Sequence, residues 1–564
     1  MKIVDLFRAV ARAGLFCAVL LGLGVAQEVT PVVVEETSLA RSPFETGTLS
    51  QGDGAFSPDL WASTSGAAVE KLLIKLPPRA LSPSLGQMMR RVLLSAGDAP
   101  EAAPASLGGR KLLVLARAGL NDEARTIASL SSASDNDRIV GQALAIADLH
   151  ENDLVSACDR ARRAPTGQAN GFFWEKLRVL CFAVQEEYNT ADLTLGILRE
   201  QGALSETEDE LLTAATIPVP LKKAVAPTTA IELAAMRTLG AVPDPLLFER
   251  ADVGVIQALA ADEAVPMAIR MNAAMHGIAT GLAPVSTLTN LYRSVEFEPY
   301  EQANVRDVII GSPSDPMTSA LAYQNVQSMS SPEFVRDRAA LIAAVINTAT
   351  SFEQAYAAVA IYRDDVAFLE GVIVTPEEAG AFALVEMSAG DGETAGDWLL
   401  AMLGAGFDSL AEEQKSRFIE LTSLLSKLDP GKASIVASVA NVDIQVNLGG
   451  NASADGNEGI QIENRDAFAD IVGSAFNAVS QDSKGALLLS ALALSSESYR
   501  GDPVADVVTR AAMRAAGESE TARQYDLEMA WRRSFSDSPP VLVEVPRDNA
   551  ARGFAPRLKP EEEQ

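Results

Sequence analysis

A seven-residue turn that has glycine near its start and alanine at its end recurs along the chain. It occurs as AGLNDEA at residues 118–124, as AGDGETA at 389–395 and as AGESETA at 516–522. A fourth version, at residues 186–191, has glutamate in place of the glycine. Glycine is favoured where a helix ends in a positive-φ conformation, and alanine allows two helices to approach closely. The turn therefore predicts pairs of antiparallel helices joined at these four places.

Helix-start signals elsewhere predict that almost the whole chain is helical. Ser205, Ser351 and Thr375 are each followed three residues later by Glu or Gln, which is the pattern of a capping box. Residues 441–464 are the exception, because apolar and polar residues alternate there on both sides of a Gly/Asn/Asp-rich loop. We therefore predict an all-α fold with one small irregular or β-hairpin excursion at 441–464.

The glycine-to-alanine spacing of the turn resembles that of tetratricopeptide-type helical hairpins. The resemblance covers four hairpins of this chain, and it implies an alpha-solenoid whose curved surface binds other proteins. The stretches Phe173–Cys181 and Leu198–Gly202 are also similar to a group of uncharacterised exported bacterial helical-repeat proteins. These resemblances imply an interaction surface and imply no particular chemistry.

The N-terminus has the composition of a secretory signal peptide. Lys2, Arg8 and Arg12 form a positive region, and residues 13–25 form a short uncharged core that ends in small residues. We predict cleavage after Ala26 and a periplasmic or secreted protein. No later stretch approaches the roughly 20 apolar residues that span a bilayer, so we expect no transmembrane segment after cleavage.

Cys158 and Cys181 are the two cysteines outside the predicted signal peptide. In an oxidising compartment, two cysteines favour a disulfide over a metal site or a catalytic pair. Closing a loop of this size would stabilise the fold by about 3 kcal/mol in the chain-entropy model. The alternative is a pair of buried free thiols that pack as small apolar groups.

The net charge of −29 argues against nucleic acid as a partner, because binding phosphates requires clustered Lys and Arg. The acidic surface is interpreted as a source of solubility, and a basic partner is the alternative. The four tryptophans lie in separate predicted helices, where large rings typically pack in the core. They are Trp61, Trp174, Trp398 and Trp531.

We assign no catalytic, cofactor-binding or metal-binding residue from the sequence. His150 and His276 are the only histidines, and neither has a partner at metal-ligand or triad spacing. Residues 451–463 begin like a calcium-binding EF-hand loop, but the acid required at position 12 arrives one residue late, as Glu463. The only site residues that we predict are therefore the two cysteines of the disulfide.

Proline-rich and polar stretches divide the chain into segments. We predict a signal peptide at 1–26, a disordered leader at 27–56, N-terminal helical repeats at 57–217, middle helical repeats at 218–440, the excursion at 441–464, C-terminal hairpins at 465–535 and a disordered tail at 536–564.

The expected function is that of an exported scaffold or adaptor that binds a protein partner in the bacterial envelope, with no cofactor and no enzyme activity. The alternative is a glycan-acting envelope enzyme on an all-helical frame. For that alternative, Glu497 followed by Ser498 resembles the catalytic Glu-Ser pair of lytic transglycosylases, although the Gly-rich continuation of that family is missing.

Overall fold

The structure is a computed structural model that describes residues 41–80, 82–134, 137–164, 172–217, 221, 224–244, 248, 250–369, 371–404, 406–442, 465–495 and 502–536. Within these residues the chain forms α-helices and a few short 3-10 helices, with no strand, so the predicted all-α fold is confirmed for this part. The predicted signal peptide, nearly all of the predicted excursion, Glu497 and the predicted tail beyond Ser536 lie outside the described residues.

The helices follow one another along the whole described chain. In the first half they are α1 (Gly66–Lys75), α2 (Pro83–Leu94), α3 (Leu107–Arg117), α4 (Asn121–Leu130), α5 (Arg138–His150), α6 (Leu154–Arg163), α7 (Phe173–Val184), α8 (Tyr188–Glu200), α9 (Glu206–Thr216), α10 (Ala230–Thr238), α11 (Val253–Ala261), α12 (Met267–Ala279) and α13 (Val285–Ser294). In the second half they are α14 (Pro299–Ala303), α15 (Val305–Gly311), α16 (Pro316–Ser328), α17 (Val335–Asn347), α18 (Phe352–Ala367), α19 (Pro376–Ser388), α20 (Gly392–Leu403), α21 (Glu412–Leu428), α22 (Pro430–Ala440), α23 (Arg465–Ser480), α24 (Lys484–Leu494), α25 (Pro503–Ala515) and α26 (Ser519–Ser536).

The four predicted turns join helices that pack against each other, which confirms the helical hairpins. The turn residues Gly119, Gly390 and Gly517 have φ angles of 78°, 83° and 88°, and Glu186 adopts the same conformation at 62°. The alanine five residues after each of them has no exposed surface, because the facing helix passes directly over it. These alanines are Ala124, Ala191, Ala395 and Ala522.

The sequence pattern does not predict one further turn of this kind, because the residue at its positive-φ position is asparagine. Asn152 joins α5 to α6 with a φ angle of 62°, and Ala157, five residues later, is fully buried. Asparagine is the residue that most readily replaces glycine in this conformation. Gly119, Asn152 and Glu186 therefore follow one another at intervals of 33 and 34 residues.

Capping boxes begin the helices where the sequence predicts them, with one difference. Ser205 and Thr375 form reciprocal hydrogen bonds with the glutamate three residues later. Ser351 accepts from the backbone of Gln354, but the side-chain oxygen of Gln354 accepts from the backbone N–H of Thr350. The Gln354 amide also donates to the carbonyl of Pro313, and this contact draws it away from the reciprocal position.

Residues 41–56, which the sequence analysis places in a disordered leader, pack against the helices. The Phe44 ring is 3% exposed and lies 5.1 Å from the Trp61 ring. The buried Lys111 of α3 donates to the carbonyl oxygens of Phe44 and Thr46, at 3.0 and 2.6 Å. The polar composition of this stretch predicts disorder. The stretch is ordered because Phe44 is buried and the Lys111 ammonium binds two of its carbonyl groups.

Helices from the two ends of the described chain contact each other, so the described part is not an open solenoid in which each repeat touches only its neighbours. α1 packs against α24, and α2 packs against both α24 and α26. The side chains of Thr64 and Ser483 are hydrogen-bonded across this junction, and Arg91 forms an ion pair with Glu518. All described residues from Arg41 onward accordingly belong to one compact unit.

All four tryptophans are buried, which confirms their interpretation as core residues. Their exposed fractions are 7% or less. Three of them pack against a phenylalanine from another turn or helix, namely Trp61 against Phe44, Trp398 against Phe382 and Trp531 against Phe352. The tryptophans thus stabilise helix packing, and large rings are effective there because each buries about 150–250 Å².

Candidate functional site

A cleft of about 650 Å³ lies between α2, α18 and α26, and we call it the central cleft. Each of the three helices supplies side chains spaced three or four residues apart, which places them on one helix face. α2 contributes Ser84, Gln87, Met88 and Arg91, α18 contributes Tyr356, Ala360 and Arg363, and α26 contributes Glu520, Thr521, Gln524 and Glu528.

Three helix-to-helix turns complete the walls of the central cleft. Gly281 lies between α12 and α13, Gly390 between α19 and α20, and Gly517 between α25 and α26. All three have positive φ angles, between 72° and 88°. The turns at Gly390 and Gly517 are two of those that the sequence pattern predicts, and the fold brings them together. Each turn thus brings the C-terminus of one helix and the N-terminus of the next to the cleft, and these two ends carry opposite partial charges.

Close backbone approach fixes the position of α2 beside the first of these turns. A Cβ atom on Gly86 would overlap the carbonyl oxygen of Thr280, and one on Gly281 would overlap the carbonyl oxygen of Pro83. Glycine at both positions therefore lets α2 lie directly against the end of α12. This contact holds one wall of the central cleft rigidly in place.

Glu528 forms the floor of the central cleft. Its carboxyl is only 2% exposed, and its Oε2 accepts hydrogen bonds from the Ser84 backbone N–H at 3.1 Å and the Ser84 hydroxyl at 2.7 Å. Ser84 lies in the first turn of α2, so the Glu528 carboxyl caps that helix from α26. Burial raises the pKa of Glu528 to about 7, although the hydrogen bonds from Ser84 oppose the rise.

Tyr356 lies beside Glu528 and presents a hydroxyl group without a partner. The residue is 8% exposed and lines the cleft, and its hydroxyl forms no hydrogen bond with any described residue. Burial raises the pKa of Tyr356, and the nearby Glu528 carboxyl raises it further. The ring is held by Phe352 at 5.8 Å and Trp531 at 6.4 Å between centroids, so the hydroxyl position is fixed.

Gln524 supplies a second acceptor that lacks a partner. Its Nε2 donates to the carbonyl oxygens of Met387 and Ser388, both at 3.2 Å, at the C-terminus of α19. Two carbonyl acceptors fix the orientation of the amide, because the reversed orientation would place two oxygens against them. The Gln524 Oε1 is then buried without a hydrogen-bond partner among the described residues.

The mouth of the central cleft carries one satisfied ion pair and two free charges. Arg91 pairs with Glu518 through two hydrogen bonds of 2.8 and 3.3 Å, and its guanidinium lies over the Phe56 ring at 4.3 Å. Arg363 and Glu520 are exposed and form no ion pair or hydrogen bond with any residue that the structure describes. The mouth therefore offers one unpaired cation and one unpaired anion.

The predicted disulfide cysteines are brought together, away from the residues that line the cleft. Cys158 of α6 and Cys181 of α7 have Cα atoms 5.6 Å apart and sulfur atoms at 2.00 Å, which is disulfide-bonding distance. Both side chains are buried, at 5% and 4% exposure. The pair joins two helices of consecutive hairpins.

The two histidines are not brought together, and each sits in a local core. Burial lowers the pKa of His150 to about 3 and that of His276 to about 4. His150 lies 3.3 Å from the Asn121 side-chain oxygen, and His276 packs against the Phe248 ring. Both imidazoles are therefore neutral packing groups at pH 7. No cluster of three or more His, Cys, Asp or Glu side chains in the described ranges could hold a metal ion.

No protein-family profile, curated protein or solved structure matches the chain. Among the described residues, no helix is both long enough and apolar enough to cross a membrane.

The chemistry of the central cleft favours binding. Its floor presents oxygen acceptors from the buried side chains of Glu528, Tyr356 and Gln524. Hydrogen bonds and charges act more strongly between buried groups than at an exposed surface. The arrangement can therefore hold a polar ligand that donates hydrogen bonds.

Proposed function

We propose that this protein is an exported helical-repeat scaffold or adaptor, and that it binds a segment of a partner protein of the bacterial envelope in the central cleft. The hairpins at intervals of 33 and 34 residues support a tetratricopeptide-like origin for its first repeats. The N-terminal signal pattern and the cysteine pair at disulfide distance support an oxidising compartment outside the cytoplasm.

The central cleft is the observation that carries this proposal. Its volume of about 650 Å³ falls within the roughly 300–1,000 Å³ of typical ligand sites. Its walls come from helices that are far apart in sequence and fixed by close packing, as a binding site requires. Its open mouth admits a chain that continues outside the protein, which suits a segment of a larger partner.

Site-specific photocrosslinking tests the proposal. A photoreactive amino acid replaces Gln87, which is exposed and lines the cleft, and a control replaces Asp307, which is exposed on α15 outside it. The mature protein is irradiated in its own envelope fraction, and attached proteins are identified by mass spectrometry. We expect one protein to be attached through Gln87 and not through Asp307.

A cleft variant shows whether that attachment is specific. Arg363→Glu reverses the free charge at the mouth without changing the buried floor, so the crosslink through Gln87 should weaken several-fold. Equal crosslinking through Gln87 and Asp307, or no protein attached through Gln87, would overturn the proposed function.

A further inference from the structure

The buried floor of the central cleft indicates which chemical group of a ligand it binds, and this inference rests on the proposed function. Glu528 is almost completely buried, and it forms no ion pair with any Lys, Arg or His side chain in the part of the chain that the structure describes. A buried carboxylate without a paired cation is costly, so the pKa of Glu528 rises to about 7 and roughly half of the carboxyl groups carry a proton at neutral pH. The floor is thus poised to accept a positively charged group.

The groups around Glu528 are the acceptors that an ammonium group requires. The Tyr356 side chain lines the same cleft, and the Glu528 charge raises its pKa. Neither the Tyr356 hydroxyl nor the buried Gln524 Oε1 has a hydrogen-bond partner among the residues that the structure describes. A primary ammonium group has three N–H donors and no acceptor. The Glu528 carboxylate, the Tyr356 hydroxyl and the Gln524 Oε1 all line the same cleft, and together they can accept these three N–H donors.

The backbone has no clear preference for either sign of charge. The turns at Gly281, Gly390 and Gly517 each bring the C-terminus of one helix and the N-terminus of the next helix to the cleft, and these ends carry opposite partial charges. The preference for a cation therefore comes from the side chains. Arg91 does not oppose it, because its charge is paired with Glu518.

The depth of the cleft fits the end of a peptide. Arg363 lies seven residues after Tyr356 on α18, and Glu520 lies eight residues before Glu528 on α26. At 1.5 Å per residue, the Cα atoms of Arg363 and Glu520 lie about 10–12 Å along their helices from those of Tyr356 and Glu528. An extended peptide covers this distance with about three residues, at 3.3–3.6 Å each. A peptide whose ammonium reaches the floor would therefore meet both free charges at the mouth.

We propose that the floor formed by Glu528, Tyr356 and Gln524 binds a primary ammonium group of the partner. That group is either the N-terminal amine or a lysine side chain, since both present the same chemistry. The Glu528 carboxylate neutralises the charge, and the Tyr356 and Gln524 oxygens accept the remaining N–H donors.

Calorimetric titration of the mature protein with short synthetic peptides tests this assignment. The probes are tetra-alanine amide with a free N-terminus, its N-acetylated form, and N-acetyl-Ala-Ala-Lys-Ala amide. Binding of the first identifies an N-terminal amine, and binding of the third identifies a lysine. Equal binding of the N-acetylated tetra-alanine, or no binding by any of the three peptides, would overturn the assignment.

Three variants connect binding to the floor. Glu528→Gln keeps an acceptor for Ser84 and removes the charge, so the affinity should fall about ten-fold or more. Tyr356→Phe keeps the ring and removes one acceptor, so the affinity should fall about three-fold. Glu413→Gln, an exposed site on α21, is the matched control and should not change affinity. Unchanged peptide affinity in both Tyr356→Phe and Glu528→Gln would contradict the proposal. If Glu528→Gln does not fold, unchanged affinity in Tyr356→Phe is enough to contradict it.

The proposed function and the ammonium site can be contradicted independently of each other. If a protein crosslinks through Gln87 but no amine-bearing peptide binds, the cleft binds its partner through another chemistry. If peptides bind through their amine but no envelope protein is crosslinked, the ammonium site stands and its ligand is a free peptide or amine.

Discussion

Single buried ionisable residues connect parts of this chain that are remote in sequence. Glu528 of α26 caps the first turn of α2 through Ser84, and Lys111 of α3 holds the carbonyls of Phe44 and Thr46. Buried backbone groups without partners are costly, and here Lys111 satisfies two backbone carbonyls while Glu528 satisfies one backbone N–H. Burial lowers the pKa of Lys111 to about 7 and raises that of Glu528 to about 7, so both change charge near neutral pH.

Glu528 makes the stability of the protein depend on pH. The pKa in the folded state is about 7, above the ordinary value of 4.5 that the unfolded chain retains. The folded state therefore binds this proton more tightly, so the contribution of Glu528 to stability is fully present below pH 4.5 and is lost as the pH rises through 7. At 1.36 kcal/mol per pKa unit, the loss approaches about 3 kcal/mol.

Urea unfolding at pH 5 and pH 8 measures this dependence. Glu528→Gln cannot ionise, so its free energy of unfolding should fall less between the two pH values than that of the natural protein, by roughly 2–3 kcal/mol. Because all other titrating groups are common to both proteins, the difference isolates Glu528. The same pH dependence in both would show that Glu528 is not the responsible group.

At the scale of elements, the hairpin turns show how far local sequence determines structure. A turn residue with positive φ and a buried alanine five residues later define the turns at Gly119, Gly390 and Gly517. At Glu186 the same backbone is adopted by a residue with a Cβ atom, at a cost of about 1–2 kcal/mol relative to right-handed backbone. The packing of α7 against α8 maintains this conformation.

Replacing Glu186 by glycine should therefore stabilise the protein. The Glu186 side chain is exposed and forms no hydrogen bond or ion pair with any described residue, so its removal breaks no such interaction there. Relief of the left-handed strain outweighs the extra chain entropy of glycine, and the free energy of unfolding should rise by about 0.5–1 kcal/mol. Glu187→Gly is the matched control, because its φ angle is −83° and glycine there adds only entropy. Destabilisation by Glu186→Gly similar to that of Glu187→Gly would contradict this account.

The hairpins, their caps and the cysteine pair were predictable because each depends on residues that are near in sequence or of one rare type. Asn152 was missed because asparagine is less diagnostic of a turn than glycine. The central cleft was not predictable, since Ser84, Tyr356 and Glu528 meet only after α2, α18 and α26 have packed. The sequence indicated only the turns at Gly390 and Gly517, without showing that they share one site.

At the scale of the whole molecule, the contact between helices from the two ends of the described chain is the main departure from the predicted solenoid. In an open array, stability is a sum of nearest-neighbour terms, and the terminal repeats unfold most easily. Here Trp61 and Leu60 lie against Gly485 at the start of α24, and Thr64 is hydrogen-bonded to Ser483. The two ends of the described chain therefore protect each other.

A single methyl group at this junction tests the coupling. A Cβ atom on Gly485 would overlap the Trp61 indole and lie 2.8 Å from the Leu60 carbonyl oxygen. Gly485→Ala should therefore cost about 1–3 kcal/mol by overpacking. Gly473→Ala, in α23, meets no atom within 4 Å and should instead stabilise by up to about 1 kcal/mol through its helix propensity.

Hydrogen exchange shows which helices lose stability in Gly485→Ala. If the junction couples the two ends, Gly485→Ala will reduce amide protection in α1 and α24 together, because the two helices bury each other. Gly473→Ala will leave protection in α1 unchanged. A loss of protection confined to α24 would mean that the ends touch without stabilising each other, and stability would then follow the nearest-neighbour behaviour of an open repeat array.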